Sequence, residues 1–167
     1  SLRDISERKE VEEALRESSE RLSLAIESMN GGILDWYAPD DYQMVNREMC
    51  DILGYKEDEL TGSIEKVISL LHPDDAEEAQ TRFNSCVSGI EPRFSFECRL
   101  RAKDGRWVWV HDIGKVVSRD EEGNPVRVIG IMLDITERKK IEQALRESEH
   151  RLRTLINAMP DIVCFKD

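Results

Sequence analysis

The chain has 167 residues, a net charge of −11 and 40% hydrophobic residues, enough for one domain with appendages. Its acidic balance argues against nonspecific nucleic-acid binding, because phosphates would repel it. No run approaches the ~18 apolar residues of a membrane span, and the N-terminus carries no signal-peptide pattern. Four cysteines, Cys50, Cys86, Cys98 and Cys164, are scattered without C-x-x-C pairing. That leaves out the usual zinc and haem-attachment motifs and reads as small apolar thiols in a reducing, cytoplasmic setting.

The first element is a charged phrase, "DISERKEVEEALRESSERL", starting at Asp4. It returns as "DITERKKIEQALRESEHRL" from Asp134, and the match extends to Ile26 and Ile156, Met29 and Met159. Val11, Leu15, Ser18, Leu22, Ala25 and Met29 fall at alternating steps of four and three, the spacing of a two-helix seam. Ile141, Leu145, Ser148, Leu152, Leu155 and Met159 repeat it. A Ser in each seam weakens the zipper; the alternative is an amphipathic helix lying on its own domain. Asp4 with Glu7 and Asp134 with Glu137 have the form of capping boxes, with Thr136 an alternative cap.

Between the two copies the texture changes. Asn30-Gly31 ends the first helix, and "GGILDWY" (Gly31 to Tyr37) reads as a strand. "APDD" is turn chemistry, and "YQMVN" (Tyr42 to Asn46) is a second short strand. "REMCDILGY" predicts a short helix stopping at Gly54. "HPDDAEEAQTRFNSCVSG" predicts a longer helix from Pro73, with acidic residues in its first turn, where the helix dipole favours them. Phe94, Phe96, Cys98 and Leu100 alternate with polar residues as a half-buried strand. "KDGR" is a hairpin turn with Gly105 at positive φ. "WVWVHDIGKVV" and "VIGIML" then read as strands apolar on both faces, so something must cover the outer face of the sheet.

Four stretches in order, "VNREMCDILGYKEDELTG", "LHPDD", "FECRLRAKDGRWVWV" and "VIGIMLDITERK", resemble a PAS domain of the type that ends in a PAC segment. The resemblance covers roughly residues 31–135. It implies an α+β fold, a five-stranded antiparallel sheet with short helices on one face and a pocket between them, flanked by linker helices. It implies a sensory or relay module of a bacterial signalling protein, commonly a histidine kinase or diguanylate cyclase. Residues 1–30 would then be a linker helix from an upstream PAS module, 31–135 the PAS/PAC domain, 136–159 the exit helix and 160–167 the start of a following module. Asp134, Ile135 and Thr136 would form the step that relays the signal, and Val11, Leu15, Leu22, Ile141, Leu145 and Leu152 the seam of a homodimer. Further partners implied are adjacent PAS modules and an output domain, with no nucleic acid and no direct membrane contact.

The same resemblance suggests Trp36, Met49, Leu53, Phe83, Val87, Phe96, Cys98, Trp109, Ile129 and Ile131 as pocket or core lining. Aromatic side chains on strands more often fill a core than grip a ligand. The cofactor is unknown, with none the first expectation and a flavin or small organic ligand the alternative. Haem ranks behind flavin. The Asn-Cys-Arg-Phe pattern of light-oxygen-voltage photosensors is not present around Cys50 or Cys86. The helix from Pro73 has no internal His to ligate haem; His72 at its mouth reads as structural. His111 has no paired ligand, so no metal site is expected. His150 stands where the first copy of the repeat has Glu20, which assigns it to linker register rather than phosphoryl transfer. No nucleotide-binding loop or cyclase motif occurs, and no catalytic residue is expected.

Overall fold

The computed structural model describes residues 1–159, apart from the side chains of Ile26 and Glu27. Cys164, the following module expected at 160–167 and the Ile26 position of the repeat lie outside the described residues. The backbone separates into two units, Ser1–Asp134 and Ile135–Asp167.

Alternation of side chains along three long strands builds the sheet. Strands β3 (Phe94–Arg101) and β4 (Trp107–Arg119) form a hairpin whose turn places Gly105 at φ 89°, a conformation disfavoured with a Cβ. Strand β5 (Pro125–Asp134) pairs with β4 on one edge and with β1 (Gly32–Tyr37) on the other, and β2 (Tyr42–Val45) closes the sheet. The order is β2-β1-β5-β4-β3, antiparallel throughout. Pairing of Phe96 with Asp112 and of Asp112 with Met132 brings three strands into one register.

Helices cover one face. Helix α1 (Leu2–Ser28) precedes the sheet, and α2 (Arg47–Leu53) follows β2. Asn46 starts α2: its Oδ1 accepts from the Met49 amide at 3.1 Å and from the Ile33 amide at 2.7 Å. Met49, Cys50 and Leu53 point from α2 into the main core, which Leu60, Cys98, Leu100, Val108 and Val110 complete. Two one-turn helices, α3 (Glu57–Leu60) and α4 (Glu65–Ile68), lead to α5 (Pro73–Val87). His72 caps α5, its Nδ1 accepting from the Asp74 amide at 3.2 Å. Asp75 clamps the start of α5 to β3, accepting from the Arg99 backbone amide at 2.9 Å and from its guanidinium at 2.8 and 2.7 Å.

The helix starts differ from the expected capping boxes. Helix α1 begins at Leu2, and the Asp4 amide donates to Ser1 Oγ at 3.4 Å, so Asp4 lies inside the first turn. Helix α6 (Thr136–Ala158) takes Ile135 as its cap residue, with no side-chain cap bond, because β5 extends through Asp134. Every described side chain of α1 is exposed, so its apolar stripe does not lie on the sheet. In α6 every side chain from Gln143 to Ala158 is likewise exposed.

Candidate functional site

Between the inner sheet face and helices α4 and α5 lies a cavity of about 170 Å³. Strand parity decides its floor. Phe94, Phe96, Cys98 and Leu100 face it from β3, Val128, Gly130 and Met132 from β5, and Leu34 from β1. Ile64, Val67, Ile68 and Leu71 form one side of the roof; Ala76, Ala79 and Phe83 of α5 form the other, with the carboxamides of Gln80 and Asn84. Two paired glycines make room. A Cβ at Gly114 would overlap the Phe94 ring and the Ile129 carbonyl, and a Cβ at Gly130 would lie 3.3 Å from an Asp112 carboxylate oxygen.

Asp112 of β4 is the one charged side chain in this wall among the described residues. It follows Val108 and Val110 on the inward-facing parity of β4, flanked across the strands by Phe96 and Met132. No side chain among the described residues hydrogen-bonds or ion-pairs with it. Loss of hydration on enclosure pushes its carboxyl up to about 7, against a weaker opposing pull from the Ile113 backbone amide. Burial, with Asp112 and Asp75 adding repulsion, pushes the Cys98 thiol up to about 12, so it is protonated and unreactive.

The structure sorts the residues expected at this site. Phe83, Phe96 and Cys98 line the cavity. Met49 and Leu53 are buried in the main core, under α2. Trp36 packs on Phe83 at 5.9 Å between ring centroids, and its Nε1 donates to Asp41 at 3.0 Å, so it supports the wall from behind. Val87 stands at the end of α5, away from the cavity lining. Trp109, Ile129 and Ile131 require correction: they have the opposite parity to Val110, Val128 and Gly130 and lie on the outer face of the sheet. There Arg99 lies over the Trp109 ring at 5.1 Å. The expectation overlooked Asp112, Gln80, Asn84 and Phe94. A carboxylate in phase with Val108 and Val110 was the available signal for the first.

The cavity does not fit either large cofactor. Drug-sized ligands occupy pockets of roughly 300–1,000 Å³, so a three-ring flavin or a haem would need the wall to repack. Haem also needs an axial donor; the lining has no His, and its thiol holds its proton.

Residues 42–132, more than half of the chain, match the PAS fold family. The chain is 30% identical over 167 residues to the two-component sensor PprA of Pseudomonas aeruginosa, covering 98% of this chain and 18% of that protein. It is 27% identical over 166 residues to the probable diguanylate cyclase DgcE of Escherichia coli, covering 98% of this chain and 14% of that protein. It thus spans less than a fifth of either relative. A sensory box histidine kinase/response regulator from Burkholderia thailandensis superposes with a TM-score of 0.69 at 28% identity, covering 80% of this chain and 98% of that one. The inward-facing sheet, its one-sided helical cover and this family match agree: the chain belongs to the PAS fold family and is homologous to the sensor segments of histidine kinases and diguanylate cyclases.

Proposed function

We propose that this chain is a cytoplasmic sensory and relay module of a bacterial signalling protein of the histidine kinase or diguanylate cyclase type. It works as a homodimer, in line with other PAS modules and an output domain that performs the chemistry. Residues 1–30 carry strain in from an upstream module, 31–135 receive the stimulus, 136–159 pass it on, and 160–167 open the next module. The carrying observation is the continuity of one strand. Val128, Gly130 and Met132 of β5 wall the cavity, and the same strand ends at Asp134, with only Ile135 before α6 begins at Thr136. A change of cavity packing therefore acts on the strand that launches the exit helix, a two-state element both ends can bias.

The seams support a second copy as the partner. Val11, Leu15 and Leu22 are 67, 70 and 62% exposed, and Ile141, Leu145 and Leu152 are 68, 59 and 57% exposed. Their a/d spacing suits the matching stripe of an identical chain, and no helix among the described residues is long and apolar enough to cross a membrane. Sedimentation equilibrium tests the pairing. The chain should sediment as a dimer at micromolar concentration, and the double variant Leu15→Glu, Leu145→Glu as a monomer. A monomeric parent chain would refute the dimer.

A further inference from the structure

The geometry points to the cavity beside Asp112 as a binding site for a small organic cation, an ammonium group carried on an apolar body about the size of one aromatic ring. This deepens the reading of the cavity as the sensory site and rests on it. Three observations converge.

The first is size. The cavity holds about 170 Å³, and an engineered apolar cavity of ~150 Å³ takes up benzene, so one ring with a short arm is the appropriate scale. The second is the carboxylate. Asp112 is half-buried in the wall, directed into the space above Gly130, and has no side-chain hydrogen-bond or ion-pair partner among the described residues. A carboxylate drawn partly out of water against an apolar wall is costly unless an opposite charge meets it. The third is the ring wall. Phe83, Phe94 and Phe96 line the same space, with centroids 5.5 Å apart for Phe83 and Phe94 and 5.8 Å apart for Phe94 and Phe96. Aromatic faces attract cations by their quadrupole, and a carboxylate among them completes a site for an ammonium head. The carboxamides of Gln80 and Asn84 can accept its remaining N–H bonds.

Electrostatics around Asp112 are simple. From β3 the facing titratable group is the Cys98 thiol, neutral up to about 12; β5 contributes Gly130 and Met132, α5 only carboxamides, and the α4 side only apolar groups. No cation in the wall competes for the carboxylate among the described residues. An ammonium must displace the Asp112 proton wherever the carboxyl is still protonated. Affinity for a cation should therefore fall, approaching ~10-fold per unit, as pH drops below about 7.

Calorimetric titration of the whole chain with phenethylamine, phenethyl alcohol and phenylacetate tests this. Phenethylamine should bind near pH ~8 and weaken toward pH ~6, the alcohol should bind at least ~10-fold more weakly, and phenylacetate should not bind. Asp112→Asn, nearly isosteric, should lose at least ~10-fold in amine affinity while its affinity for the alcohol stays the same. Equal affinity for amine and alcohol, an amine affinity unchanged in Asp112→Asn, or no amine binding at millimolar concentration would each overturn the inference. Any of these results with the dimer intact removes the cation site alone; loss of the dimer in the parent chain would remove the wider reading.

Discussion

A carboxyl that holds its proton to about pH 7 in the folded chain, but releases it near the ordinary 3.8 when unfolded, makes stability fall as pH rises between those values. Below pH ~4 Asp112 is protonated in both states and contributes no difference. Above pH ~7 the full cost is present, on the order of a few kcal/mol. Asn at this position has the same shape and no charge. Asp112→Asn is expected to raise the urea midpoint strongly near pH ~8 and to match the parent near pH ~4. Equal midpoints at both pH values would show that the acid is not desolvated in the folded chain. Asp75 works in the opposite sense. The Arg99 guanidinium bonded to it holds its carboxyl below the usual range, so its contribution is present above the ordinary value and lost as acid protonates it. The two residues therefore act in separate windows, Asp112 above its ordinary value and Asp75 below it.

At the scale of elements, one side chain joins the first strand to the first domain helix. Asn46 accepts from Met49 and Ile33 and donates from Nδ2 to the Gly31 carbonyl at 3.0 Å, so it caps α2 and fixes the start of β1 together. Asn46→Ala removes all three bonds and leaves part-buried amides unpaired. The expected loss is about 2–3 kcal/mol in urea unfolding, with Asn46→Asp recovering most of it through its acceptor oxygens. An Ala variant within ~0.5 kcal/mol of the parent would mean that water replaces these bonds fully. In the sequence Asn46 reads as the end of the second strand; its cap on α2 was not legible there, nor was its reach back to Ile33, which spans 13 residues. Strand β3 was legible from period two, β4 from its continuous apolar run, and α5 from its acidic start. The single-turn helices α3 and α4 were not, since four residues carry no period. The cavity face was legible only in part. With apolar residues on both sides of β4 and β5, bulk favoured the Trp109 side, whereas helix cover placed the cavity on the side of Val108, Val110 and Asp112. A single acid in phase with two buried valines was the discriminating mark, and it carries more information than the tryptophans.

For the molecule as a whole, the duplicated phrase sets the mechanical question. Helices α1 and α6 each carry an exposed apolar stripe broken by a Ser, Ser18 and Ser148, at a position where a tight zipper would place Leu or Ile. Isolated helices of this length hold together partly through local charge pairs such as Arg16 with Glu13 and Lys140 with Glu137, both at 2.7 Å. Such pairs stabilise each helix without fixing its partner, so in the proposed dimer the seam would decide how firmly two copies join. A seam weakened in the middle can change register or angle at a small cost, and a fully apolar one resists. Ser148→Leu should bury new apolar surface in both copies of the dimer and tighten its dissociation constant by at least ~10-fold, read by sedimentation. In the full-length protein the same change should hold the output in one state, with equal activity in the presence and absence of stimulus. A tighter dimer that still responds normally would separate dimer strength from signalling and assign the relay to motion within each helix rather than between copies.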